Sequence, residues 1–199
     1  MSNTLQPLSD HWRNRYLFMR HGHSQANQQR VIVSSPGRGV EHFGLSEHGE
    51  QQLAQLVADW QWPVPTRVVH SDFLRTTQTA AHVAARFGLV PSVDTRLRER
   101  NFGELEGLSD EHYPSIWAFD AEDAEHQHQG VEALSRVASR MQAVIGDWEQ
   151  QVSGEIILFV SHGDPLQILL TALAGKPLTS HREQTPLAPA SITLYGHGV

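Results

Sequence analysis

The fold is decided by a stretch near the N-terminus, YLFMRHGHS at residues 16–24. Its apolar first half predicts a buried strand, and a cation, an imidazole and a glycine follow where that strand ends. Ligands of open α/β folds bind beyond the carboxyl ends of the strands. Arg20 offers a planar fork of donors that suits phosphate, and His21 has the chemistry of a nucleophile or an acid–base group. Taken alone, the stretch is equally compatible with a strand-end loop whose arginine and histidines are merely solvated.

The residues after this strand extend the candidate site. Gly22 allows a sharp turn and a close approach of a ligand to the backbone. Ser24 is expected to cap a following helix and to present its hydroxyl. Asn27 lies about one helical turn further on and is expected to reach the same pocket. His23 is expected at the rim of that pocket.

The composition is that of an ordinary soluble globular protein. The 199 residues fit one domain, and the net charge of -7 argues against a nucleic-acid or anionic-membrane surface. The 15 cations are 14 arginines and Lys176, so anion binding falls to arginine, and the absence of cysteine excludes disulfides and thiolate zinc sites. No apolar run approaches membrane-spanning length and no secretion signal precedes the first strand, so a cytoplasmic location is expected. The composition does not indicate an oligomeric state.

Strand, turn and helix recur along the chain. Strands are predicted at 15–20, 67–71, 90–93, 155–160 and 190–195, and helices at 46–60, 73–87, 131–151 and 165–174. The third strand contains Pro91 and belongs at a sheet edge, whereas the fourth is the most apolar and belongs at the centre. Ser71 or Asp72 is expected to cap the second helix. We expect a loose arm over residues 1–14 in which Trp12 docks on the body, and a long loop over residues 25–44.

Three strand ends carry groups that bind phosphate. Arg20 and His21 follow the first strand, Arg75 lies in the first turn of the helix after the second, and His162 follows the central strand. If they converge with Glu99, the imidazole can attack phosphorus and the arginines can stabilise the phosphoryl group, while the carboxyl protonates the leaving alkoxide and then activates water. Nearby arginines should lower the pKa of His21. The alternative for Arg75 is a charge on the surface of a helix, and the alternative for Glu99 is a solvated loop. If Glu99 belongs to the site, its flanking arginines are expected to hold it for acid–base catalysis.

Residues 104–130 form an acidic segment with eight Asp or Glu and no Lys or Arg. We expect a partly helical insert that covers the active-site edge of the sheet, with most of its charges solvated. Trp117, Phe119 and Glu122 would give it an acidic, aromatic rim that suits a leaving group with apolar surface or positive charge.

Five motifs, taken in order, resemble the histidine phosphatase superfamily in its phosphoglycerate mutase-like branch. They are LFMRHGHS at 17–24 with Asn27, LSEHGEQQ at 45–52, Ser71 with RTTQTA at 75–80, LRERNFGELEG at 97–107, and VSHG at 160–163. They span most of the chain, and although each motif is weak alone, the ordered set is specific. One departure is Asp164, which stands where many members have a glycine.

The resemblance implies a three-layer α/β/α fold around a mostly parallel sheet, a single domain over residues 1–199, and an enzyme without a metal or other cofactor. It implies that His21 is the phosphorylated nucleophile and that Glu99 is the proton donor. The ligands implied for the phosphoryl group are Arg20, Arg75 and His162. The residues implied or expected to bind the rest of the substrate are Asn27, Ser24, His23 and Gly163.

The function expected from these motifs is hydrolysis of a phosphomonoester of a small phosphorylated metabolite through a phosphohistidine. Mutases of the family carry a larger insert with basic residues, which residues 104–130 lack, so a phosphatase is preferred to a mutase. A non-catalytic phospholigand-binding protein is a further alternative. A metal site is a third, suggested by the pairs His21 with His23 and His126 with His128, but two histidines without a third ligand are weak support. His126 and His128 are therefore expected to be solvated loop residues.

Overall fold

The structure, a computed structural model, describes residues 12–196 of the chain and contains one five-stranded sheet. The strands are β1 (Arg15–Arg20), β2 (Arg67–His70), β3 (Ser92–Val93), β4 (Ile156–Ser161) and β5 (Ile192–Tyr195). Their order across the sheet is β3-β2-β4-β1-β5. All neighbours pair in parallel except β5, which runs antiparallel to β1. The most apolar strand is therefore central and β3 is at an edge, as predicted, although β3 begins after Pro91 and does not contain it.

Seven α-helices and several short 3-10 helices connect the strands within the described residues. The α-helices are α1 (Gln25–Gln29), α2 (Pro36–Gly39), α3 (Glu47–Ala58), α4 (Leu74–Phe87), α5 (Tyr113–Glu122), α6 (Leu134–Gln151) and α7 (Gly163–Leu173). The 3-10 helices are Thr95–Leu97, Gly103–Leu105, Asp110–His112, His128–Gly130 and Leu178–Glu183. No helix in residues 12–196 is both long enough and apolar enough to cross a membrane.

The sheet is covered by helices on both faces because its strands are apolar on both. Successive side chains of a strand point to opposite faces. Tyr16 and Phe18 of β1 accordingly join one buried cluster with side chains of α6 and α7. Leu17 and Met19 join the other cluster with side chains of α3 and α4. This arrangement confirms the expected three-layer fold around a mostly parallel sheet.

Two expectations about local structure were wrong. Residues 25–44 are not one long loop, because α1 and α2 begin there behind Ser24, which caps α1, and Ser35, which precedes Pro36. Helix α4 begins after Phe73, and no side chain caps it. Asp72 instead pairs with Arg98 through two hydrogen bonds, so its carboxylate is not available to cap the helix.

The N-terminal segment docks on the body from residue 12 onward. Trp12 packs edge-on against Tyr16 and Tyr195, with ring centroids 5.2 and 5.1 Å apart. Asn14 is buried and hydrogen-bonds to the carboxylate of Glu149. The expected docking of Trp12 is confirmed, whereas the predicted loose arm is wrong for residues 12–14; the rest of the arm, residues 1–11, lies outside the described residues.

Candidate active site

His21 is fixed at the carboxyl end of β1 by β4 on one side and by the turn before β5 on the other. Its N–H donates to the carbonyl of Ser161 at 3.0 Å, and its carbonyl accepts from the N–H of Ala190 at 3.0 Å. The ring is buried, and Nδ1 lies 2.7 Å from the carbonyl oxygen of Gly22. A carbonyl only accepts hydrogen bonds, so Nδ1 carries the proton and Nε2 has the lone pair. His21 therefore presents Nε2 as a nucleophile.

Arg75 reaches His21 from the first turn of α4, which begins at the carboxyl end of β2. Its Nε donates to His21 Nε2 at 3.1 Å, and its Nη2 donates to the carbonyl of Val33 at 2.9 Å. Only 3% of the side chain is exposed, so the alternative of a surface helix charge is wrong. The Val33 loop is itself held by Glu106, whose carboxylate accepts from the N–H and hydroxyl of Ser34 at 2.7 Å each.

His162 lies where β4 passes into α7 and is fully buried. Its Nε2 is 3.0 Å from Ser71 Oγ, which also accepts from the N–H of Phe73 at 3.3 Å. In the tautomer in which the Ser71 hydroxyl donates to His162 Nε2, the imidazole proton lies on Nδ1. That Nδ1 is 3.9 Å from Glu99 Oε2, so His162 offers an N–H donor on the side of the site where Glu99 lies.

The Arg20 side chain is held by one backbone carbonyl and lies close to Gly163. Its Nη1 donates to the carbonyl of Leu187 at 2.5 Å. A Cβ on Gly163 would lie 3.3 Å from the Arg20 guanidinium, closer than most real Cβ contacts. Gly163 therefore contributes to the site by leaving room for Arg20. It has no side chain that could contact substrate.

The cationic side chains leave several donors without partners. Three buried nitrogens of this site form no hydrogen bond with the described residues: Arg20 Nε, Arg75 Nη1 and His162 Nδ1. A buried donor left without a partner costs free energy, so such donors point to a ligand. Donors on two guanidinium groups and one imidazole around His21 fit a tetrahedral oxyanion.

Glu99 lies near Arg75 and His162, and its Oε1 accepts from the N–H of Arg100 at 2.9 Å. Its side chain is 11% exposed, and Oε2 lies 3.9 Å from both Arg75 Nη2 and His162 Nδ1. The expectation that the side chains of its flanking arginines hold it was wrong, because the Arg98 side chain pairs with Asp72 and the Arg100 side chain turns away into the interior. Neighbouring side chains of an extended backbone point to different sides, which separates both arginines from the carboxylate between them.

Burial and charge set the protonation states of the three titratable groups. Burial lowers the pKa of His21 well below its ordinary value, and the charges of Arg75 and Arg20 lower it further. Burial and Arg75 lower the pKa of His162 in the same way. Burial raises the pKa of Glu99 to about 7, despite the opposing charge of Arg75. The site therefore combines neutral imidazoles with a carboxyl group that keeps its proton up to near neutrality.

Ser24 and Asn27 bond to each other at the start of α1. The Ser24 hydroxyl accepts from the Asn27 N–H at 3.2 Å, and the Ser24 N–H donates to Asn27 Oδ1 at 3.1 Å. These bonds form a capping box, so the expected cap is confirmed, and the Ser24 side chain is fully buried. His23 Nδ1 bonds to Ser46 Oγ at 2.7 Å, and its ring meets His48 edge-on. His23 thus lines a groove beside the site together with His48.

The insert 104–130 is anchored by buried charge that was expected to be solvated. Asp120 has no exposed surface, and His126 is buried with its Nε2 2.6 Å from Asp120 Oδ1. The expectation of a solvated His126 was wrong because a buried carboxylate requires donors. His128 is exposed, as expected. No group of three or more His, Asp or Glu side chains that could hold a metal ion occurs in residues 12–196.

The predicted aromatic rim is only partly assembled. Trp117 stacks on Tyr113, with centroids 5.3 Å apart, and the Arg182 guanidinium lies 3.7 Å above the Trp117 ring. Phe119 stacks instead on His128, and Glu122 is exposed. Although the insert contains no cation, the segment 178–183 therefore supplies one to it. The sequence suggested a purely acidic and aromatic rim, and this expectation was wrong because Arg182 lies on Trp117.

Several contributors to the site were missed by sequence reasoning. Ser71 orients His162, and Thr79 Oγ1 accepts from the N–H of Gly22 at 3.0 Å. Tyr113 is close enough to Glu99 for that carboxylate to raise the pKa of the phenol, with burial as the larger cause. Ser71 and Thr79 belong to the quoted motifs, and this membership could have identified them as contributors to the site. Nothing in the sequence indicates which backbone carbonyls hold Arg20 and Arg75, because every residue type carries the same backbone acceptor.

The chain matches known proteins along most of its length. The family model described as histidine phosphatase superfamily (branch 1) matches residues 16–198. The chain is 31% identical to probable phosphoglycerate mutase GpmB of Enterobacter sp., over 82% of this chain and 76% of that protein. It is 30% identical to glucosyl-3-phosphoglycerate phosphatase of Mycolicibacterium vanbaalenii, over 92% of this chain and 84% of that protein. It is similar in structure to mycobacterial glucosyl-3-phosphoglycerate phosphatase complexed with VO3, with TM-score 0.75, 28% identity, and coverage of 90% of this chain and 91% of that chain.

Proposed function

The chain belongs to the histidine phosphatase superfamily, and we propose that it hydrolyses phosphomonoesters of small metabolites through a phosphohistidine on His21, with Glu99 as proton donor. The observation that carries this proposal is the state of His21. Its Nδ1–H is bound to the Gly22 carbonyl at 2.7 Å, and its Nε2 faces the Arg75 guanidinium at 3.1 Å. A neutral imidazole with its free nitrogen beside a fixed anion-binding group is arranged for attack on phosphorus.

The first step transfers the phosphoryl group to the protein. Arg20, Arg75 and His162 donate to the phosphoryl oxygens while His21 Nε2 forms a bond to phosphorus. The bond from phosphorus to the ester oxygen breaks, and the Glu99 carboxyl gives its proton to the departing alkoxide. The product of this step is a free alcohol, a phosphohistidine and an ionised Glu99.

The second step returns the protein to its starting state. The Glu99 carboxylate takes a proton from a water molecule, whose oxygen attacks phosphorus. The bond from phosphorus to Nε2 breaks, inorganic phosphate leaves, and His21 regains its lone pair. Because Glu99 acts first as acid and then as base, a pKa of about 7 suits both steps at neutral pH.

The phosphoenzyme is the direct test. Brief incubation with a 32P-labelled phosphomonoester, followed by denaturation in alkali, should give label on the wild-type protein that acid removes. His21→Ala should give none, whereas His42→Ala, which replaces an exposed histidine, should label normally. Equal labelling of His21→Ala would refute the proposal, and absence of both label and turnover in the wild type would favour a non-catalytic binder.

A mutase is the second candidate, because a probable phosphoglycerate mutase is among the relatives. The insert carries no Lys or Arg that could hold a substrate carboxylate, which favours hydrolysis, but Arg182 on Trp117 supplies one cation. Release of phosphate from 3-phosphoglycerate should therefore exceed its isomerisation to 2-phosphoglycerate when the reaction is primed with 2,3-bisphosphoglycerate. Fast isomerisation with little phosphate release would reverse the assignment.

The substrate proposed is a phosphorylated metabolite small enough to pass the insert, which covers the active-site edge of the single domain. The relatives supply glucosyl-3-phosphoglycerate as the first compound to assay, beside sugar phosphates, nucleotides and phosphoamino acids. The proposed setting is the cytoplasm, without a nucleic-acid partner, in keeping with the net charge of -7. Uniformly slow turnover across this panel would count against a dedicated small-molecule substrate.

A further inference from the structure

A cluster of buried charges lies beside the catalytic residues and takes no part in the reaction described above. Arg100 has no exposed surface, and its guanidinium donates to the two oxygens of Asp120 at 2.7 and 2.8 Å. The same guanidinium lies 3.3 Å from Asp164 Oδ2. A buried bidentate pair of this kind is strong and directional. We call Arg100, Asp120 and Asp164 the Arg100 cluster.

Further cationic and imidazole groups surround the two carboxylates of the cluster. His126 bonds to Asp120 at 2.6 Å, and His181 Nε2 lies 3.8 Å from Asp120 and 3.6 Å from Asp164. Arg182 lies 3.5 Å from Asp164. Although burial alone would raise the pKa of Asp164, the neighbouring His181 and the charge of Arg100 hold it below its ordinary value. Asp164 is therefore an anion in the interior, with donors on every side.

The cluster joins the two segments that carry catalytic groups to the insert. Arg100 directly follows Glu99, and its N–H donates to Glu99 Oε1 at 2.9 Å. Asp164 lies in the first turn of α7, two residues after His162. Asp120 comes from α5, the helix of the insert, and pairs with Arg100. Docking of α5 therefore fixes the backbone N–H that orients the Glu99 carboxyl.

Charges from every neighbouring segment act on Glu99. Arg75 and His162 lie 3.9 Å from its Oε2, and Arg75 and Arg20 favour its ionised form. Asp164 acts in the opposite direction, because a second anion disfavours ionisation of the carboxyl. Tyr113 is the remaining titratable neighbour, and its phenol stays neutral. Among these groups Asp164 is the one whose charge helps Glu99 to keep its proton.

We propose that Asp164, Arg100 and Asp120 are positioning residues for the proton donor, and that the insert thereby holds Glu99 in its acid-competent geometry. This inference rests on the proposed function, since it assumes that Glu99 protonates the leaving group. It assigns the insert a part in catalysis that needs no contact with substrate. It also explains why an aspartate at position 164 is useful in this chain, where the motif otherwise ends in a second glycine in many members of the family.

The test uses two substrates that differ in their need for an acid. The leaving group of 4-nitrophenyl phosphate departs without protonation, whereas that of glycerol 3-phosphate, an alkoxide, does not. Loss of a general acid typically costs ~100-fold or more, so Glu99→Gln should lower kcat/KM for glycerol 3-phosphate far more than for 4-nitrophenyl phosphate. Asp164→Asn and Asp120→Asn should show the same selectivity, with a loss of about tenfold on glycerol 3-phosphate and less than about threefold on 4-nitrophenyl phosphate.

The matched control is Asp110→Asn. It makes the same substitution in the same insert, but its carboxylate pairs with Arg30 at the surface, where the side chains are 34% and 63% exposed. Both substrates should be turned over as by the wild type. If Asp120→Asn does not fold, Asp164→Asn decides the question.

Three results would count against the inference. Equal losses on both substrates in Asp164→Asn would show a merely structural cluster, and unchanged kinetics would show no coupling. If Glu99→Gln itself shows no dependence on the leaving group, the proton-donor assignment fails instead, and the phosphohistidine experiment then tells whether His21 remains the nucleophile.

Discussion

The side chains of Arg75 and His21 come into contact across 54 positions of sequence, with Arg75 Nε donating to His21 Nε2 at 3.1 Å. His21 follows the carboxyl end of β1, and Arg75 lies in the first turn of α4, the helix that follows β2; β4 lies between these two strands in the sheet. The contact joins the proposed nucleophile to the proposed phosphoryl ligand. It also lowers the pKa of His21, after the larger effect of burial.

Replacement of the Arg75 fork by a point charge should impair catalysis. Arg75→Lys keeps the cation but cannot donate to His21 and to the Val33 carbonyl together, so kcat/KM for 4-nitrophenyl phosphate should fall about 100-fold. Arg86→Lys changes an exposed arginine of the same helix and should leave the rate as it is. A loss below about threefold in Arg75→Lys would contradict the role given to this guanidinium.

Near neutrality, kcat/KM should decline on the alkaline side only. Burial raises the pKa of Glu99 to about 7, so the acid form is lost above that pH and kcat/KM for glycerol 3-phosphate should decline. Burial and Arg75 keep the pKa of His21 well below its ordinary value, so no decline from protonation of the imidazole is expected as the pH falls to 6. Values of kcat/KM measured from pH 6 to 9 should show this alkaline decline in the wild type. In Glu99→Gln they should be low and independent of pH.

The raised pKa of Glu99 should also appear in stability. The folded state holds a proton between the ordinary value of 4.5 and about 7, whereas the unfolded chain does not, so the contribution of Glu99 to the free energy of unfolding falls as pH rises through this window. The full difference is about 3 kcal/mol. Glu99→Gln mimics the protonated carboxyl and should therefore be more stable than the wild type at pH 8, with a difference that shrinks toward pH 4.5. Urea titrations that show the same difference at both pH values would contradict the shifted pKa.

A methyl group at Gly163 should disturb Arg20 selectively. The added Cβ would lie 3.3 Å from the guanidinium, so Gly163→Ala should displace it and raise the KM for 4-nitrophenyl phosphate by about tenfold. Gly146→Ala is the matched change inside α6, where nothing lies within 4 Å of the new Cβ. It should add about 0.5–1 kcal/mol of stability without altering kinetics. Identical kinetics for Gly163→Ala and the wild type would show that Arg20 adjusts at no cost.

Much of the local structure was determined by the sequence itself. The apolar runs at 16–19 and 156–160 predict buried strands because only two-sided burial accommodates continuous hydrophobic stretches. The capping box of Ser24 and the cap of Ser46 follow from side chains that bond to nearby backbone. The ordered motifs then predicted which strand ends meet. These features depend on neighbours within a few residues, or on a sheet topology that the alternation of strands and helices already restricts.

Only the tertiary structure decided which charges are buried and what holds them. Glu99 lies between two arginines in sequence, yet its neighbours in space are Arg75 and His162, each 3.9 Å away. Asp120, one of eight acidic residues in a segment expected to be solvated, is instead the buried partner of Arg100. A charged residue has the same identity on a surface and in a core, and the difference comes from partners supplied by distant segments. The placement of such partners is a property of the folded chain as a whole.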